Sequence, residues 1–120
     1  MIFKVLQIQI PSAIYKDVNS IGHDGAAAKH PVYAAHLAVS FRGSLGYKAE
    51  HFEHFTLVAE ITAADLDAAF ALGNGYGDMK AVRRLDAMHS VSVGDIVVDD
   101  AGVHHMVDGI GFTALPVGAL

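Results

Sequence analysis

The chain opens on a run of apolar residues, Ile2-Phe3-Lys4-Val5-Leu6-Gln7-Ile8-Gln9-Ile10, punctuated by three polar ones, Lys4, Gln7 and Gln9. β-Branched residues are abundant, so residues 2–10 read as a strand with Phe3 and Val5 facing the core. The phase breaks near Leu6, which marks a bulge or a strand buried on both faces. Pro11 ends the strand and suits the first turn of a helix. Ile14, Val18 and Ile21 then recur at i, i+4 and i+7, with Gly22 where a C-terminal cap glycine would stand. The spacing predicts a helix over 12–21.

Residues 22–31 read as a loop. Residues 32–42 fit two periods. As a strand, Tyr33, Ala35, Leu37, Val39 and Phe41 share a face; as a helix, Tyr33, Leu37 and Phe41 align. The period of two is cleaner and favours a strand. Gly43–Gly46 is a turn. Residues 54–61 form a second strand, and Thr62 with Asp65 resembles a capping box opening a helix over 63–72. Gly73-Asn74-Gly75-Tyr76-Gly77 ends that helix, and Asp78 caps a further helical turn through Leu85. Ser90–Val98 reads as strand, Gly94-Asp95 turn or bulge, strand. Asp99–Gly102 is a hairpin turn, Val103–Val107 the return strand and Gly109–Leu115 a last extended segment. These elements make an α+β fold: a mainly antiparallel sheet covered by two or three short helices, in a single domain over 1–120.

Composition sharpens this picture. Hydrophobic residues make up 52% and charged residues 18%, which excludes intrinsic disorder. With no cysteine there is no disulfide, thiolate zinc cluster or cysteine nucleophile. No signal-peptide pattern or membrane-length apolar run occurs, so a cytoplasmic protein without a membrane partner is expected. The formal charge of −5 argues against nucleic acid as a partner. Eight histidines equal the eight Lys and Arg together; protonating all of them would move the charge from −5 by +8 to +3. A pH-sensitive surface is therefore expected.

The second half carries a recognisable order of motifs: Thr56–Ile61, the helix Asp65–Phe70, the run His89-Ser90-Val91-Ser92-Val93-Gly94-Asp95-Ile96-Val97, and His105-Met106-Val107-Asp108-Gly109-Ile110-Gly111-Phe112. Residues 55–115 resemble the YodL-like family of small bacterial, phage and mobile-element proteins. That family's hallmark is an H-S-x-S-V-x-D-V-V run, a turn, and Y-x-V-D-x-x-G-F. Gly94 and His105 depart from it. The resemblance implies bacterial or phage origin and an interaction or regulatory role, and transfers no catalytic residue.

Several constellations carry candidate chemistry. His51, Glu53 and His54 combine two imidazoles and a carboxylate, a weak candidate for a divalent metal; a polar loop entering a strand accounts for the same residues. His104 and His105 point to opposite faces of a strand. His89, Ser90 and Asp95 invite a nucleophilic reading, against which Asp95 after Gly94 is an ordinary turn residue. Asp99, Asp100 and Asp108 are turn aspartates that a cation would also suit. Arg83 and Arg84, with Lys80, form a small basic spot.

Two functions follow. The first is a non-enzymatic binding or regulatory protein acting on a host protein, its surface built from His89, Ser90, Ser92, Asp95, Arg83, Arg84 and Phe112, with no cofactor and no catalytic residue. The alternative is a small metal- or histidine-dependent hydrolase. Exposed sheet edges also leave a homodimer open.

Overall fold

The computed structural model describes residues 1–120. The opening run forms strand β1, Ile2–Ile8, and Ser12–Lys29 and Pro31–Arg42 form helices α1 and α2. Strand β2 spans Phe55–Thr62, helix α3 Leu66–Gly73 and strand β3 Val82–Arg84. Three short strands complete the chain: β4 Ile96–Val98, β5 His104–Val107 and β6 Phe112–Ala114. All six strands join one antiparallel sheet in the order β3-β2-β1-β4-β5-β6, so the first strand lies at its centre. The expected α+β class holds. The break of phase near Leu6 is a bulge: Val5 pairs with Ala59 but Leu6 pairs with Leu57, leaving Val58 as the extra residue on β2.

The sheet is covered on both faces. Ile96, Val97 and Val98 alternate between two cores, as successive strand side chains must. Val97 joins Phe3, Val5, Ile61 and Val107 under Ala69 of α3. Ile96 and Val98 join Ile8, Met106 and Leu115 under Ala35 and Val39 of α2. A third cluster, Ile14, Ala26 and Tyr33, joins α1 to α2. The two predicted helices therefore do not share one face.

Four sequence expectations are corrected. Residues 32–42 are helix, not strand: Pro31 sits at the helix start and the alanines stabilise the helical backbone. Most of the supposed loop 22–31 is helical too; Gly22, at φ 76°, breaks α1 where a cap was expected, but a second helical stretch follows. Asp65, not Thr62, caps α3 by accepting from the Ala68 N–H at 2.8 Å, which shifts the helix from 63–72 to 66–73. Residues 90–93 also lack strand pairing, whereas the Gly94 N–H and the Asp95 carbonyl both bond Val107 of β5, at 2.9 and 2.8 Å, in a bulge that prolongs the β4–β5 ladder.

Gly94 explains how α2 is seated. Its φ is +91°, and a Cβ there would lie 2.7 Å from the Val39 carbonyl group. Backbone thus passes against backbone with no side chain between them. Gly94→Ala combines left-handed strain with that clash, and we expect it to cost roughly 2 kcal/mol or more. Urea denaturation checks this; unchanged stability would mean that α2 yields freely at Val39.

Candidate functional site

The residues that form the site begin with a buried polar side chain on the central strand. Phe3, Val5 and Gln7 alternate onto the α3 face of β1, and Gln7 is fully buried. A buried amide must be hydrogen-bonded, and Gln7 finds its partners in the segment before β4. Its Nε2 donates to the His89 carbonyl at 2.9 Å and to Asp95 Oδ2 at 3.0 Å, while its Oε1 accepts from the His89 N–H at 3.2 Å. Asp95 Oδ2 also accepts from the Ser92 N–H at 2.9 Å. Gln7 therefore ties β1 to both ends of residues 89–95.

The same network orients the His89 ring. Its Nδ1 lies 2.8 Å from the Ser90 carbonyl, which can only accept. Both Nε2 hydrogens of Gln7 are already placed on the His89 carbonyl and Asp95. The bonding assigns the neutral ring's proton to Nδ1 and leaves the Nε2 lone pair free. Asp95 Oδ2 lies 3.8 Å from Nδ1. Burial pushes the Asp95 carboxyl up to about 6, against the opposing pull of the Ser92 amide, the His89 charge and Gln7.

His89 stands between two clefts. The larger, of about 630 Å³, lies between the C-terminal end of α3 (Leu72–Gly75), Val82 and Arg84 of β3, and Met88–Ser90. The smaller, of about 250 Å³, lies between Ile8–Ile10, Tyr15, His36 and Ala87–His89. They share Met88 and His89, and no carboxylate lines either one, although the chain carries 13. Burial, reinforced by the His89 charge, holds His36 below the usual histidine range.

The structure separates the predicted site residues. His89, Ser90 and Arg84 meet at the larger cleft, with Ser92 and Asp95 behind them as support. Arg83 faces away from it, as strand alternation requires, and pairs with Glu60 at 3.3 Å. Phe112 belongs to β6 at the opposite sheet edge, where its ring packs edge-on against Phe70 at 5.8 Å. His51, Glu53 and His54 do not assemble a ligand set. His51 Nδ1 accepts from the Lys48 N–H at 3.1 Å, His54 lies 3.5 Å from Glu53, and no three His, Asp or Glu side chains in the structure are grouped to hold a metal ion. His104 and His105 do diverge: His104 packs against Phe52, whereas His105 Nε2 meets Asp99 Oδ2 at 2.9 Å. Asp99 also accepts from the Ala101 and Val103 N–H groups, and these bonds, led by the one to His105, hold its carboxyl below the usual range. Asp108 is committed to Ser44 and Thr113.

Gln7, Tyr15 and His36 were missed as site residues. Gln7 carried a signal, since it continues the Phe3-Val5 face at a spacing of two. His36 carried none while residues 32–42 were read as a strand. No family model, curated protein or solved structure matches the chain. No helix is long and apolar enough to cross a membrane.

The Asp95 carboxyl holds its proton more tightly folded than unfolded. Its contribution therefore stabilises the fold fully below about pH 4 and is lost as pH rises through about 6. In Asp95→Asn the amide oxygen can keep both bonds made by Oδ2. Oδ1 has no protein partner and keeps contact with water, since no fully buried polar side-chain atom lacks a partner. We expect this variant to gain about 2 kcal/mol at pH 7 and to flatten the stability profile between pH 4 and 6. Thermal unfolding across that range checks both; a variant as pH-dependent as the parent would refute the assignment.

Proposed function

We propose that the protein is a non-enzymatic binding protein that takes an acidic segment of a partner protein into the cleft between α3, β3 and His89. One observation carries this reading: on a chain of net charge −5, the cleft contains the Arg84 guanidinium and no carboxylate, and the His89 imidazole adds positive charge when it is protonated. A local reversal of sign attracts an anion that the rest of the acidic surface repels, which favours specific over general association. Two such groups are too few to follow a nucleic-acid backbone, which rewards many cations together. The YodL-like resemblance of residues 55–115 fits this proposal, since it implies an interaction or regulatory role in a phage or mobile element.

The hydrolytic alternative asks for a different arrangement. A serine triad places the serine hydroxyl on one imidazole nitrogen and the carboxylate on the other. Here the Ser90 carbonyl and Asp95 both stand at Nδ1, and the Ser90 hydroxyl makes no bond to the ring.

Fluorescence anisotropy with labelled polyglutamate and labelled polylysine tests the proposal. Polyglutamate is expected to bind, more weakly as salt rises, and polylysine to bind less well despite the protein's negative charge. Arg84→Glu should weaken polyglutamate binding at least tenfold, while the exposed side chain leaves the fold intact. Equal affinity of the variant and the parent, or no binding at all, would overturn the reading.

A further inference from the structure

Three features coincide around β3. The first is a sheet edge. Leu85 N–H donates to the Val58 carbonyl at 2.9 Å, in register with the ladder that pairs Ala59 with Arg84 and Glu60 with Arg83. Hydrogen-bonded pairs recur at every second residue of an antiparallel ladder. The Arg83 peptide groups therefore face Glu60, and the Arg84 N–H and C=O face outward. The Val82 N–H is already occupied by the Met79 carbonyl. β3 is terminal in the sheet, so nothing in the chain pairs with Arg84 from outside.

The second feature is charge. Arg84 and His89 line the adjoining cleft. The carboxylates that flank Arg84 in sequence, Asp78 and Asp86, turn back onto the Lys80 and Ala87 N–H groups, and Asp95 stands behind the His89 ring at 3.8 Å. The third is a run of exposed large apolar side chains, Tyr76, Met79 and Leu85, with Tyr76 74% exposed. Tyrosine, methionine and arginine are the residue types that interfaces concentrate.

Building on the acidic-partner reading, we propose that the bound segment is extended and adds to β3 as a seventh strand. Its main chain pairs with the outward N–H and C=O of Arg84, and its carboxylates meet the Arg84 guanidinium and His89. This is strand addition at an open edge, in which the main chain supplies affinity and alternate side chains supply selection. An edge of three residues spans about 10 Å, so a segment of four or five residues covers it.

The test uses the full chain with a capped Glu-Val-Glu-Val-Glu-Val peptide, its Lys-Val counterpart, and the Glu-Val peptide N-methylated at alternate residues in each phase. Amide exchange of Arg84 is followed by NMR. The Glu-Val peptide is expected to slow that exchange at least tenfold. One N-methylated phase should bind at least tenfold more weakly than the other, and the Lys-Val peptide should not protect Arg84. Binding of the Glu-Val peptide with unchanged Arg84 exchange, or with both methylated phases as tight as the parent, overturns strand addition and leaves the acidic cleft standing. Failure of both this peptide and polyglutamate to bind removes both proposals. Slowed Arg84 exchange on concentrating the protein alone would show a second copy on the edge, and overturns the proposed occupant.

Discussion

The site depends on one buried amide. Gln7 lies on the central strand, and its partner Asp95 is 88 positions away. Asp95 stands immediately before β4, whose register against β1 begins with Leu6 opposite Ile96. The side-chain bonds of Gln7 therefore do what a ladder would otherwise do: they hold segment 89–95 against β1, to which its own backbone makes no hydrogen bond. A leucine of similar size would fill the space and leave three partners unanswered, two on His89 and one on Asp95. Uncompensated buried groups of this kind cost on the order of 1–3 kcal/mol each. The position of His89, and with it the wall between the two clefts, follows from that requirement.

Helix lengths decide where the surface stays open. Helix α2 is drawn close to the sheet at two places. Gly94 passes beneath the Val39 carbonyl, and Gly43, at φ 56°, leaves room for the Asp108 carboxylate that accepts from the Ser44 N–H at 2.7 Å. Helix α3, with eight residues, covers less of its face. It ends at Gly73, and the larger cleft opens beyond that end. The cleft is thus the part of the α3 face that a two-turn helix leaves uncovered, and the loop of glycines after it keeps bulky side chains from filling the space.

Strong local patterns were legible in the sequence: the β1 alternation, the β2 run, the Asp99–Gly102 turn and the sheet class as a whole. Residues 32–42 were not, because Tyr33, Leu37 and Phe41 satisfy both periods and alanines add no contrast. The useful signals were Pro31 and helix propensity, which the apparent alternation outweighed. In the site, His89 and Arg84 were marked by their residue types, but nothing local distinguishes Arg84 from Arg83. Their separation onto opposite faces depends on β3 being a strand, where a helical turn had been expected. The Gln7–Asp95 bond is a long-range fact, and no window of sequence contains it.

The strand order also bears on how the chain reaches this structure. β1 is flanked by β2 and β4, so it cannot be completed on either side by its neighbour in sequence: α1 and α2 intervene on one side, and most of the chain on the other. Such non-local pairing raises the contact order, and high contact order slows folding because chain closure must precede the contacts that reward it. Pairing β4 with β1, Leu6 opposite Ile96, closes a longer stretch of chain than pairing β2 with β1. Until β4 arrives, one edge of the central strand is unprotected and the Gln7 amide is exposed to water. The wall that His89 puts between the two clefts is thus a product of long-range closure, because Gln7 can hold His89 and Asp95 only when β4 stands beside β1.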